Sequence, residues 1–237
     1  MVGYERLRFL VVDGRIVLIM VPGPVHDTTV FKISGLFGIW ADAAGLPSFN
    51  TRHFPAGGAG HYEPDIRPSP PGSAHASDAG APMPRLVVEV EVHHRNTTAL
   101  RKQGHIYMEH HCVRAFLGVK IWPRRDGGLF AAVAILWTKD PATHAVGVAA
   151  AIEFGTAPLW PTCKTGLETG VAMALPRVPA AAWQQQMPAP AAAIILRIQP
   201  GLIVYQALDR AGVAIPVPAN TMDINMLDIQ QLVVGSP

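Results

Sequence analysis

The stretch Arg85-Leu86-Val87-Val88-Glu89-Val90-Glu91-Val92 constrains this chain more than any other. It is apolar and β-branched, which reads as a buried strand, yet it carries two carboxylates. Side chains alternate across a strand, so Glu89 and Glu91 face the same way. Unpaired carboxylates in an apolar strand are costly, and a bound cation would offset that cost. A third acidic group, Glu63-Pro64-Asp65, lies upstream, and Arg101 and Lys102 lie downstream. Acids followed by a base is how a chain builds a magnesium site for phosphodiester chemistry. The competing account is an edge strand whose acids face water, with Asp65 a turn residue and Lys102 an ordinary solvated helix lysine.

The 237 residues suffice for one good-sized domain or a domain with an appendage. With 49% hydrophobic and 15% charged residues a large core can form. A net charge of +2 neither indicates nor excludes nucleic acid, because local patches matter more than the sum. Two cysteines, Cys112 and Cys163, make no disulfide framework or four-cysteine zinc site. That points to a reducing, intracellular compartment, cytoplasm or nucleus. The apolar run Ile16 to Val21 is too short to span a bilayer, and no signal peptide is evident.

In chain order, Tyr4 to Leu10 reads as helical and Arg15 to Val21 as a strand, joined through Asp13-Gly14 into a small hairpin unit. Val25 to Ala44 is an amphipathic helix with Pro24 near its start and Gly45 at its end. Arg52 to Phe54 reads as a short strand, and the Pro/Ser/Gly/Ala-rich segment 68–84 as a flexible insertion. After the acidic strand, Asn96, Thr97 or Thr98 caps a helix over Ala99 to His110. Ala115 to Trp122 and Leu129 to Trp137 form an antiparallel pair around Arg124-Arg125-Asp126-Gly127-Gly128. His144 to Phe154 reads as a strand and Pro158 to Pro190 as broken, low-complexity chain. Ala193 to Ile198 and Leu202 to Gln206 read as a hairpin through Pro200-Gly201, and Asn220 as the cap of a last helix, Met222 to Leu232. This order gives an α/β or α+β domain with a mixed central sheet flanked by helices. Its core is expected over residues 1–138, with 139–237 as a Pro/Ala-rich extension covering or lengthening the sheet.

Four segments together resemble the PD-(D/E)xK nuclease superfamily, the restriction-endonuclease-like fold, and within it the Uma-two-type endonuclease branch. They are Phe9 to Val17 with Met20-Val21-Pro22-Gly23-Pro24 and His26; Pro64-Asp65; Leu86-Val87-Val88-Glu89-Val90; and Leu100-Arg101-Lys102-Gln103 with Tyr107. The resemblance spans roughly residues 5 to 137. It implies metal-dependent endonuclease chemistry on nucleic acid, DNA before RNA, with Mg²⁺ or Mn²⁺ held by Asp65, Glu89 and the Val90 carbonyl. Lys102 is then the catalytic lysine, with Glu91, His26 and Arg101 as auxiliary groups. Nucleases of this fold are often homodimers. The superfamily's lysine two residues after the second acid is replaced here by Glu91. That departure leaves open a catalytically inactive relative serving as a nucleic-acid or protein binding module.

Arg124 and Arg125 could touch phosphates, although a solvated turn is the default. His93-His94, His105 and His110-His111-Cys112 make a histidine-dense region without the spacing of a zinc motif. No Walker loop, dinucleotide fingerprint or nucleophile elbow is present.

Overall fold

The computed structural model of the protein describes residues 7–12, 15–20, 23–46, 66, 84–92, 96–177, 195–207 and 213–236, the first two segments as backbone. Asp65, His93-His94 and the expected strand at Arg52 to Phe54 lie outside these residues, as does the expected insertion except Pro84.

The chain opens on a hairpin. β1 (Leu7–Val12) pairs antiparallel with β2 (Arg15–Met20). A strand thus replaces the helix expected to begin at Tyr4. The sequence Leu-Arg-Phe-Leu-Val-Val is rich in β-branched and aromatic residues, and an antiparallel ladder to β2 pairs the backbone groups along its inner edge. The helix α1 (Pro24–Ala43) follows, with proline in its first turn, where a missing N–H costs nothing. Its buried face is Thr29, Ile33, Phe37, Trp40 and Ala41.

The central sheet has the order β3-β4-β5-β6. β3 (Leu86–Glu91) runs parallel to β4 (Ala115–Ile121), which needs a crossover; α2 (Thr97–Glu109) supplies it. Asn96 caps α2, its side chain accepting the Ala99 N–H at 2.8 Å. β5 (Ala132–Lys139) and β6 (Val146–Phe154) complete the sheet antiparallel. The fold is mixed α+β: a four-stranded mixed sheet flanked by helices. β6 comes from beyond residue 139 and is an integral strand of that sheet.

Three expectations in the last third give way. The stretch after Pro158 contains α3 (Pro161–Val171), whose proline opens the helix instead of breaking it. Pro200-Gly201 begins a single helical turn, α4 (Pro200–Ile203), so β7 (Ile195–Ile198) does not fold back on Leu202 to Gln206. It pairs instead with β8 (Met222–Asn225), where buried Met222 and Ile224 alternate with exposed Asp223. The last helix is therefore α5 (Met226–Gly235), capped by Asn225, not Asn220.

Each sheet face has its own core. Leu86, Val88 and Val90 of β3 pack in one cluster with α1, α5 and the β7–β8 pair. Val87 packs in the other with Leu100 and Tyr107 of α2 and Leu167 and Val171 of α3. The two acids of β3 alternate with the first set, so they share the α2 side with Val87. No helix among the described residues is long and apolar enough to cross a membrane.

Candidate functional site

Close approach of α2 to β4 determines the shape of the site. Gly104 lies over the Phe116 ring, where an added Cβ would come within 2.5 Å of Cδ1. Gly118 lies under Leu100, where a Cβ would meet the leucine side chain at 3.0 Å. Gly118 is also the register partner of Glu89, so the place beside Glu89 on the sheet is left to α2. The ring of Phe116 stacks on Tyr107 at 6.0 Å and tilts against Trp137 at 5.4 Å, which fixes the helix on the sheet.

That docking brings Gln103 and Tyr107, one helical turn apart, down onto β3. Gln103 Nε2 donates to Glu89 Oε1 at 2.7 Å, and the Tyr107 hydroxyl donates to the same oxygen at 2.8 Å. Gln103 Nε2 also lies 3.3 Å from the Tyr107 hydroxyl. Glu89 is 6% exposed. Two donors on one oxygen hold the carboxylate in a single orientation, as partners of a ligand do around a metal site.

Glu91 meets a lysine, and that lysine is Lys120. The parallel register sets Glu91 opposite Lys120, whose Nζ lies 3.9 Å from Glu91 Oε1 and donates to the Val92 carbonyl at 3.3 Å. Lys120 is 3% exposed. Burial pushes its ammonium below the ordinary 10.5, and the Glu91 carboxylate opposes that shift.

The other edge of β3 carries one more pairing. Ile66 and Val88 exchange both backbone hydrogen bonds, Ile66 N–H to Val88 O at 3.2 Å and Val88 N–H to Ile66 O at 2.9 Å. Peptide groups alternate sides along a strand, so the Val90 carbonyl lies on this same edge, away from β4. Ile66 is the residue after Asp65, and Val88 the residue before Glu89.

Lys102 and Arg101 stand elsewhere. Both are exposed and line a groove between α2 and α3 that Trp137 and the start of β6 floor. Neither makes an ion pair with Glu89 or Glu91 among the described residues. His26 sits in the first turn of α1, whose buried residues join the opposite face of the sheet, with Nδ1 3.1 Å from Asp27 Oδ1. Arg124 donates to the carbonyls of Val233 (2.7 Å) and Ser236 and so closes the C-terminal end of α5. Arg125 donates to the Pro158 carbonyl at 3.0 Å and stacks its guanidinium 4.3 Å from the Trp160 ring centre. Among the described residues, no three His, Cys, Asp or Glu side chains gather as a metal-ligand group. Cys112 and Cys163 are free thiols.

Gln103, quoted above only within the Leu100-Arg101-Lys102-Gln103 segment, and Lys120 are the two site residues to which the sequence assigns no role. Lys120 carried the same signal as Glu89, a lone charge in an apolar strand. Gln103 carried a weaker one, the spacing of four to Tyr107.

No family model and no curated protein matches the chain. Among solved structures it is similar to a putative nuclease belonging to DUF820 from Anabaena variabilis ATCC 29413, at 12% sequence identity and a TM-score of 0.37, over 58% of this chain and 74% of that one.

Proposed function

We propose that this chain hydrolyses phosphodiester bonds with a divalent cation, Mg²⁺ or Mn²⁺, at a site centred on Glu89, with DNA as the substrate. The observation that carries this reading is the buried Glu89 carboxylate, held by two neutral donors and sharing its sheet face with a second acid. Glu89 and Glu91 bring two carboxylates to one face of β3, and carboxylate oxygens on one face are what a hard divalent cation takes as ligands.

The donor set suits a hard ion. Glu89 and the Val90 carbonyl would hold it, both oxygen ligands of the kind Mg²⁺ accepts alongside water and substrate phosphate. Asp65 is the further carboxylate of the proposal; the Ile66–Val88 pair, one residue from each acid, supports the pairing of Asp65 with Glu89. When bound there, such an ion would supply Lewis-acid chemistry toward a phosphodiester. Gln103 and Tyr107 orient Glu89 by their bonds to Oε1. Lys120 balances Glu91 across the β3–β4 register.

The test is cleavage of labelled single- and double-stranded DNA with Mg²⁺ or Mn²⁺, comparing the native chain with Glu89→Gln. The isosteric amide keeps an oxygen for Gln103 and Tyr107 but removes the charge. Cleavage that falls at least about a hundredfold supports the reading, in line with loss of one preorganised electrostatic group. Equal cleavage by both proteins refutes it.

One observation favours a second reading, a non-catalytic nucleic-acid or protein binding module. The α2 side chains that reach Glu89, Gln103 and Tyr107, are both neutral, while Lys102 turns to the groove. Under that reading the native chain does not cut, and Gln103→Lys would bring a cation to Glu89 and establish cutting.

A further inference from the structure

The groove between α2 and α3 is separate from the Glu89 site, because it lies against the opposite flank of α2, over β5 and β6. Thr98, Arg101, Lys102 and His105 fall three, four and seven residues apart, which puts them along one face of the helix. They face Gly170, Val171 and Ala172 at the end of α3, with Trp137, Val146 and Val148 beneath. The cavity has a volume of about 580 Å³, within the usual size of a small-molecule site. No acid lines it. On α2 itself, the residues three and four positions from Arg101 and Lys102 are Thr97, Thr98, Ala99, Gly104, His105 and Ile106, none of them acidic.

The carbonyl end of α3 attracts one cation, and Arg101 lies near it: a Cβ on Gly170 would stand 3.3 Å from Arg101 Nη1. That accounts for Arg101 but not for Lys102 beside it. Glu168 of α3 spends a carboxylate oxygen on the Leu175 N–H at 3.0 Å and is not part of the lining. Lys164 is likewise committed, 3.1 Å from Glu153.

We propose that this groove binds a small organic phosphate, its phosphate held by Arg101 and Lys102 with Thr98 and His105 at the rim, and its apolar body laid over Trp137, Val146 and Val148. Paired guanidinium and ammonium groups match a phosphate monoester, the guanidinium through two parallel N–H bonds. The apolar floor excludes free inorganic phosphate as the best ligand.

The test is calorimetry of the full chain with adenosine monophosphate, adenosine and inorganic phosphate. Adenosine monophosphate should bind more tightly than either part. Arg101→Ala/Lys102→Ala should raise its Kd about tenfold or more, as loss of charge-assisted bonds does. Gly170→Glu, which sets a carboxylate beside Arg101 and favours helix, should weaken it in the same direction. Glu89→Gln should leave it unchanged, which separates this site from the proposed catalytic one. No binding of adenosine monophosphate, or equal binding by the variants with native-like melting, overturns the proposal. So does inorganic phosphate binding as well as the nucleotide. An oligonucleotide that binds through Arg101 and Lys102 where the mononucleotide does not would make the groove a nucleic-acid surface instead.

Discussion

Replacing Gly104 by alanine tests whether the fit of α2 on β4 holds the site together. In an open helix this change stabilises by about 1 kcal/mol, because glycine has more freedom to lose. Here the new methyl would stand 2.5 Å from Phe116 Cδ1 and 2.6 Å from Cε1. The ring cannot swing away freely: Tyr107 stacks on it at 6.0 Å and Trp137 at 5.4 Å. Overpacking of that kind costs about 1–3 kcal/mol, so the helix gain is offset or exceeded. The expected net is a loss of up to about 2 kcal/mol, read by urea unfolding, and for a chain of this size about 2–4 °C in Tm per kcal/mol. Moving α2 outward also lifts Gln103, the adjacent residue, from Glu89, so cation-dependent activity should fall further than stability alone explains. A variant as stable as the native chain, or more so, would refute the close-packing account of α2.

Lys120→Met should flatten the alkaline pH dependence of stability. Burial lowers the folded-state pKa of Lys120 below the ordinary 10.5, so the folded protein sheds this proton first. The unfolded chain then binds more protons, and this group's contribution to stability rises with pH through the window below 10.5. Unfolding measured from pH 7 to 10 should show a smaller slope for the variant; an unchanged slope would contradict the burial. Arg177→Ala should destabilise through Glu153, which is fully buried and paired with Lys164 at 3.1 Å and Arg177 at 3.5 Å. Removing one cation costs up to roughly the 3–5 kcal/mol of a broken buried pair, reduced by the lysine that stays. Arg177→Ala/Glu153→Leu should recover part of that loss, and a double variant weaker than the single would count against the pairing.

The parts legible in the sequence were those with one strong local signal. The apolar run around Glu89, the 3.6-residue stripe of α1 and the capping stretch Asn96-Thr97-Thr98 each specify an element without reference to distant chain. So does the shared side of Glu89 and Glu91, which follows from strand alternation. The misread elements depended on partners far away. Leu7–Val12 is a strand because β2 pairs with it, and Met222–Asn225 because β7, more than twenty residues earlier, does. Pro161 and Pro200 looked like breaks because proline disrupts helix interiors, yet each stands in the first turn, where it is tolerated. For the candidate site, spacing brought Arg101, Lys102 and Gln103 near the acids in sequence but could not say which would face them. Helix rotation decides that: Gln103 and Tyr107 look down at β3, and Lys102, 100° further round, looks out. The Lys120 pairing depended on the parallel register of β3 and β4, which no single strand encodes.

The function proposed for this chain turns on a cation held at Glu89. Calorimetric titration of Mn²⁺ into the native chain and into Glu89→Gln tests it most directly, with circular dichroism to show that both are folded. The native chain should show one saturable binding event that disappears in the variant. Equal binding by both proteins, or no binding by either, would contradict it.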